Sequence, residues 1–359
     1  MKTVKKIILY AFILLGVTGL VFARSGSREL DLANTEEFDI TGVGEIRIST
    51  GQDTVTFLPG NPGKLVIREY MNRNNPSYYA KIKNRGGKIN IQEGGRPLIR
   101  SGFVRRMEVY LPPEYNGFVS ADTSSGSAEI QILPPDLSGF EARTTSGTIS
   151  FHTIHADTVR LATTSGTVTG NSVSGNGAIT NTSGTIKINT WSAEDGVTIK
   201  STSGGIELGA VKANRINIET VSARMECGTL AGNISYRSTS GSLSIETASG
   251  SGSFEHSAAG DLHLSYTSVT GNISVFNKNG TIFFEIPGHY AGTFEAETRE
   301  GTITTNFMDR LSGSVKKLSG VINRPGGSVI SLETRNGHIR AGLGISEPGF
   351  NRPLTMWTK

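Results

Sequence analysis

The sequence predicts an all-β protein, a single-chain β-solenoid of about 12 rungs with a repeat of about 19 residues. Three observations predict this fold. A glycine-containing triplet recurs at nearly constant spacing, an apolar residue follows two positions after each triplet, and apolar and polar residues alternate between triplets. Glycine supplies 45 of the 359 residues without a Gly-X-Y period, so collagen is excluded.

The triplet is Thr-Ser-Gly in its clearest copies, and its last residue, called the marker here, recurs every 17 to 21 residues. Ala223 replaces the glycine in one unit. The marker glycines are Gly126, Gly147, Gly166, Gly184, Gly204, Gly241, Gly260, Gly280, Gly301, Gly320 and Gly337. Glycine at a fixed place in each unit is typical of a sharp turn between strands.

The residue two positions after the marker is apolar in all twelve units, which predicts one internal column of stacked side chains. These residues are Ala128, Ile149, Val168, Ile186, Ile206, Met225, Leu243, Leu262, Ile282, Ile303, Ile322 and Ile339. Two short strands and two turns per unit would stack at about 4.8 Å into a rod about 50–60 Å long. A sandwich of short hairpins is the rival fold, and the regular spacing favours the solenoid.

The N-terminus has the layout of a secretory signal peptide. Lys2, Lys5 and Lys6 precede the apolar run 7–21, and small or β-branched residues at Val21 and Ala23 predict cleavage after Ala23. An uncleaved anchor helix is the alternative. Residues 1–23 carry three lysines and no acid, so the net charge of +4 falls to +1 without them. We therefore expect no nucleic-acid partner, an extracytoplasmic location, and membrane contact only through an uncleaved segment.

The chain divides by pattern into four parts: a signal peptide (1–23), an N-terminal β cap region (24–118), the β-solenoid repeats (119–342) and a C-terminal tail (343–359). Strand-like runs in 24–118 lack the Thr-Ser-Gly triplet, and a solenoid needs covered ends because exposed strand edges associate. The tail carries no apolar run that could act as an anchor.

The repeats and one strand before them resemble a bacterial putative-adhesin family of exported β-strand-repeat proteins, a domain of unknown function. The resemblance rests on the serial triplets, on Arg106-Met-Glu-Val-Tyr-Leu-Pro-Pro113 leading into Ala121-Asp-Thr-Ser-Ser-Gly126, and on Leu332-Glu-Thr-Arg-Asn-Gly337-His-Ile339. It covers about residues 35–345. It implies a β-helix-like fold and an envelope location, and it brings no catalytic residues.

Candidate chemistry is sparse in the sequence. The serines before the markers lack a neighbouring base and a G-x-S-x-G turn, so we interpret them as hydroxyls that hydrogen-bond adjacent turns. They are Ser146, Ser165, Ser183, Ser203 and Ser240. His152 and His155, with Asp157, are a weak metal candidate because strand positions three apart point differently. Phe283 and Phe284 interrupt the alternation, so one of the two should face outwards.

We therefore predict a non-enzymatic cell-envelope protein, an adhesin or a scaffold that binds a surface glycan or an envelope protein. No catalytic, metal or cofactor residue is predicted. The single cysteine, Cys227, excludes a disulfide framework and is interpreted as a small apolar filler. Two alternatives stay open: a polysaccharide lyase or hydrolase with a site assembled across rungs, and a structural or sensory module of an envelope-stress system. Self-association is a further expectation for long polar β-ladders.

Overall fold

The computed structural model describes residues 30–98 and 102–344, so the predicted signal segment and nearly all of the predicted tail lie outside the described residues. The described residues form 23 strands and two short 3-10 helices, Pro76–Tyr78 and Met308–Arg310, with no α-helix among them. Within that part of the chain, no helix has the length and apolar character needed to cross a membrane.

The strands are β1 (Asp31–Asp39), β2 (Glu45–Thr50), β3 (Thr54–Pro59), β4 (Lys64–Met71), β5 (Lys81–Arg85), β6 (Lys88–Gln92), β7 (Arg105–Leu111), β8 (Phe118–Thr123), β9 (Ala128–Ile130), β10 (Gly139–Thr144), β11 (Thr148–Thr163), β12 (Thr167–Ser192), β13 (Gly196–Thr220), β14 (Arg224–Ser240), β15 (Ser242–Ala259), β16 (Leu262–Asn279), β17 (Ile282–Ile286), β18 (Gly292–Glu300), β19 (Ile303–Thr305), β20 (Leu311–Ser314), β21 (Lys317–Ile322), β22 (Ser328–Asn336) and β23 (Ile339–Leu343).

The middle of the chain is the predicted β-solenoid. Strands β11 to β16 are long and bent, and each pairs in parallel with the next at an offset of about one repeat. We call the stretches that follow each marker the front face and the stretches that precede it the back face. In most rungs the ladder also continues around the corner that leads from the front-face stretch to the back-face stretch. The two strands predicted for each unit are therefore joined into one.

The predicted internal column is confirmed for eleven of the twelve apolar residues. Ala128 to Leu262 and then Ile282 stack in sequence order on the front face, and all of these side chains are buried. Ile339 follows Ile282 in the column, and Ile303 follows Ile339. Val55 continues the column beyond Ala128 at the other end. The alternation of apolar and polar residues therefore places one aliphatic side chain per rung in the core.

The last units do not stack in the order of the sequence, contrary to the simple prediction. Strand β22 lies between the end of β16 and β18, and β23 lies between β17 and β19. The unit marked by Gly320 leaves the column because β20 and β21 form an antiparallel hairpin against β18. Ile322 is buried on that hairpin rather than in the front-face column.

The first rungs are threaded out of order as well. Strands β2 and β3 form a rung that lies between the rung of β8 and β9 and the rung of β6 and β7. Antiparallel strands finish this end: β4 and then β1 extend the front face, and β5 extends the back face. The division of the chain at residue 118 remains a proposal, and its two sides share a continuous ladder.

A second internal column is polar. Three residues before most markers, a small hydroxyl or amide side chain is buried at the corner, as in Thr123, Thr144 and Thr163. Each of these three hydroxyls accepts a hydrogen bond from the N–H of its own marker glycine, with distances of 2.8–3.0 Å. The buried corner therefore satisfies its backbone donor locally. His256 lies four residues before Gly260, but the strand register places it between Ser238 and Asn277 in this column. It is fully buried, and neither of its ring nitrogens has a hydrogen-bond partner.

The buried imidazole makes the fold sensitive to acid. Burial lowers the pKa of His256, so the folded protein keeps this ring neutral while the unfolded chain takes up a proton near pH 6.5. The contribution of the neutral His256 ring to the free energy of unfolding is therefore complete above pH 6.5. It is lost as the pH falls below that value, by up to about 1.4 kcal/mol per pH unit. We expect His256→Asn, which copies Asn277 of the same column, to reduce this slope in urea unfolding at pH 7.5 and 5.5. The matched His289→Asn at an exposed histidine should leave it unchanged.

Candidate functional site

An open groove of about 640 Å³ runs along the outer surface of the front face. It follows the side chains one, three and five positions after the markers, from the rung of Lys187 to the rung of Glu285. A second hollow of about 540 Å³ continues it over the earlier rungs to Gln131 and shares Lys187 and Asn189 with it. Together they span nine rungs, which corresponds to about 40 Å at strand spacing.

Two glycines form the floor of the groove. Gly209 and Gly228 occupy neighbouring rungs, and a Cβ atom added to either would approach the carbonyl oxygen of the preceding rung within 2.4 or 2.5 Å. Side chains would fill the hollow at these positions. Both glycines lie five residues after their marker, a regularity that is present in the sequence. Because this position belongs to no catalytic motif, it was not predicted as part of a site.

The walls of the groove carry charged groups in the same register. The Lys187 ammonium lies 2.9 Å from Glu207, and Arg224 lies 2.5 Å from Glu226. Glu246, Asp261 and Glu285 add three further carboxylates. The Ser265 hydroxyl donates to Glu285 at 2.6 Å, and Asp261 accepts the N–H of Thr281 at 2.7 Å. Acidic side chains thus outnumber basic ones along the groove.

An aromatic stack closes the end of the groove. The rings of His263 and Phe283 lie parallel, with centroids 4.1 Å apart and planes inclined by 12°. The guanidinium carbon of Arg340 lies 5.5 Å from the centroid of Phe283 on the next rung. Burial lowers the pKa of His263, although Asp261 opposes the shift. Phe284 is buried and Phe283 faces outwards, as the interrupted alternation predicts.

The serines before the markers form the predicted ladder of hydroxyls. The hydroxyls of Ser165, Ser183 and Ser203 each donate to a carbonyl oxygen of the preceding turn at 3.2–3.4 Å, and Ser240 does the same at 3.2 Å. Ser146 bonds the preceding turn through its backbone N–H. These contacts explain the recurring serine as turn chemistry.

The histidine pair of the sequence does not form a metal centre. His152 is exposed on the front face beside the second hollow, whereas His155 and Asp157 are exposed at the following corner. Across residues 30–98 and 102–344, no group of three or more His, Cys, Asp or Glu side chains could hold a metal ion. The thiol of Cys227 lies at the groove but is buried, and burial raises its pKa to about 12, which makes it unreactive.

A buried ionic cluster replaces the triplet at the corner between β2 and β3. The Asp53 carboxylate accepts hydrogen bonds from Arg105 Nε at 2.7 Å and from Arg96 Nη2 at 2.6 Å. Glu93 lies 2.8 Å from Arg105 and also accepts the N–H of Gly51. Burial raises the pKa of Asp53 despite the two guanidinium groups. The cluster fastens Glu93, Arg96 and Arg105 to the corner, and it was not predicted because its members are far apart in the sequence.

The family comparison agrees with the solenoid fold. The sequence model of the family described as Toastrack DUF4097 matches residues 43–222 and 195–341. The chain is similar to a solved putative adhesin from Parabacteroides merdae, with 13% identity, a TM-score of 0.40, and 72% of this chain and 95% of that chain covered. A putative adhesin from Parabacteroides distasonis is 10% identical with a TM-score of 0.41, and 88% of this chain and 98% of that chain are covered. A putative lipid binding protein from the same species is 16% identical with a TM-score of 0.23, and 67% of this chain and 95% of that chain are covered. No curated protein sequence gives a significant match.

Proposed function

Because the chain belongs to the Toastrack DUF4097 family, a domain of unknown function, we propose a function from the properties of its own surface. The protein is an exported, non-enzymatic scaffold of the cell envelope that holds a linear glycan in the front-face groove. The observation that carries this proposal is the groove itself, continuous over nine rungs and closed by the His263–Phe283 stack.

The chemistry of the groove suits sugars. Hydroxyl, amide and carboxylate groups such as Ser265, Asn189 and Glu246 recur at strand spacing, so a polymer lying along the rungs can hydrogen-bond to them repeatedly. Because His263 and Arg340 cover the two faces of the Phe283 ring, the stack offers ring edges as an apolar surface against which a sugar can pack. Because carboxylates outnumber basic groups, the groove should prefer neutral or amino-sugar chains to uronic-acid chains.

Two carboxyl groups whose pKa is raised by burial lie away from the groove. A general acid needs a carboxyl group with a raised pKa beside the substrate. Burial raises the pKa of Asp53 in the ionic cluster and of Asp122 on the back face, and both groups lie outside the groove.

The ligand class is testable with oligosaccharides. We expect neutral and amino-sugar oligosaccharides to bind the purified chain in isothermal titration, and uronic-acid oligosaccharides to bind weakly. Phe283→Ala should weaken binding by about tenfold because the apolar contact at the end of the groove is lost. Phe276→Ala is a matched control. The guanidinium carbon of Arg335 lies 5.5 Å from the centroid of the Phe276 ring, but Phe276 is on the back face. Equal affinity of both variants, or no binding by any oligosaccharide, would contradict the proposal.

Export is the second part of the proposal and follows from the segment 1–23. We expect the protein isolated from its source to begin at Arg24, which intact-mass measurement would show. Protease shaving of whole cells should release repeat-region peptides if the scaffold faces the outside. Complete protection would restrict the scaffold to the periplasm, and an intact Met1 in a cytoplasmic fraction would overturn export.

A further inference from the structure

Two strand edges are open at the N-terminal end of the solenoid. On the front face, β1 pairs only with β4, and on the back face, β5 pairs only with β6. Each strand therefore presents one row of backbone donors and acceptors without a ladder partner among the described residues. Leu32 on β1 is half exposed at this edge.

The two open edges carry opposite charges. Strand β1 is acidic and exposes Asp31, Glu36, Glu37 and Asp39. Strand β5 is basic, and its exposed residues Lys81, Lys83 and Arg85 share the outer side of the strand. Among the ion pairs of the described residues, Glu37 has a partner in Lys64, and none involves the three basic residues of β5.

The end of the solenoid is also stepped. Beyond the rung of β2 and β3, the front face continues through three strands, β7, β4 and β1, and the back face through two, β6 and β5. Because β1 is antiparallel to β4 and β4 to β7, β1 runs in the direction of the front-face strands. Strand β5 is antiparallel to a back-face strand and therefore runs in that same direction.

We propose that two copies of this chain join end to end through their N-terminal edges, with β1 of each copy beside β5 of the other. A two-fold axis parallel to the strands places the front face of one copy over the back face of its partner. The longer face then meets the shorter face on both sides, so the steps fit, and acidic β1 lies parallel to basic β5 in two equivalent contacts.

The other arrangements are disfavoured by charge and shape. Pairing β1 with β1 and β5 with β5 would bring like charges together and would leave a gap on the shorter face. Among the described residues at the opposite end, Arg310 and Lys316 flank the edge strand β20 and its turn, and the other edge strand, β19, carries no charged side chain. In the proposed dimer the two grooves face opposite sides, and the dimer does not depend on the ligand proposed for them.

Charge-reversal variants test the contact by sedimentation velocity at low and high salt. The purified chain is expected to sediment as a dimer that dissociates as salt rises. Asp31→Lys, Glu36→Lys and Glu37→Lys combined should give a monomer whose two edges are both basic. Lys81→Glu, Lys83→Glu and Arg85→Glu combined should give a monomer whose two edges are both acidic. An equimolar mixture of the two variants should restore a dimer, because both contacts are again between opposite charges.

Each outcome decides the proposal. A wild-type monomer at 100 µM protein and low salt, a dimer that both variants retain, or two variants that stay monomeric when mixed would overturn it. All six substituted residues are exposed, so circular dichroism and the urea midpoint should match the wild type and exclude misfolding as the cause of dissociation. Reversal of Lys200 and Glu219, an exposed pair on the back face far from the edges, is the control that should leave the dimer intact.

Discussion

Replacing Gly260 with Ala is expected to lower the free energy of unfolding by about 3–5 kcal/mol, the sum of overpacking and of a left-handed backbone. The backbone of Gly260 has φ +153°, and a Cβ atom there would lie 1.5 Å from the carbonyl oxygen of Gly241 and 2.4 Å from the ring of His256. Neither neighbour can move freely, since one is backbone and the other is buried in the corner column. Urea unfolding followed by circular dichroism measures the loss.

The matched control is Gly342→Ala. Gly342 lies in β23, its φ is not left-handed, and an added Cβ meets no atom within 4 Å. This variant should stay within about 0.5 kcal/mol of the wild type. Equal unfolding midpoints for the two variants would show that close approach of successive turns does not constrain the marker column.

Replacing Arg105 with Met is expected to cost about 3–5 kcal/mol, because it leaves buried carboxylates without their main partner. Arg105 is almost fully buried and holds both Asp53, at 2.7 Å, and Glu93, at 2.8 Å. The loss should appear as a lower urea midpoint. Adding Asp53→Asn to this variant should cost little more, since the more deeply buried carboxylate is then neutral and Glu93 keeps Arg96 as its partner.

Lys64→Met provides the comparison for the ionic cluster. Lys64 and Glu37 form an exposed pair at 2.7 Å, and pairs of this kind contribute little to stability because water screens them. If Arg105→Met and Lys64→Met shift the midpoint equally, the ionic cluster does not fasten the N-terminal segment to the core.

The marker triplets predicted the repeated core because turn and strand signals are local. Thr-Ser-Gly and the apolar residue two positions later fix a corner and one buried side chain without reference to any distant residue. The groove could not be predicted in the same way. The groove depends on which rungs are neighbours, both at its floor (Gly209 and Gly228) and at its end (His263 and Phe283). The sequence of a single repeat does not specify its neighbours.

The order of the last rungs was missed for a related reason. The units marked by Gly301 and Gly337 carry equally good strand patterns, so the sequence does not distinguish which of them adjoins the unit of Gly280. The structure places Gly337 there. The corner at Asp53 was missed because buried charges replace the triplet, and their partners Glu93 and Arg105 are about 40 to 50 residues away.

The threading of the C-terminal strands sets the timing of folding. The open side of β16 is filled by β17 and β22, and β17 is in turn covered by β23. During synthesis from the N-terminus, the middle rungs can pair one after another. Strands β18 and β19 have no parallel partner until β22 and β23 have been synthesised. We therefore expect the closing stretch of the solenoid to complete only after β22 and β23 have been made, so that a chain truncated before β22 should leave β18 and β19 without their parallel partners.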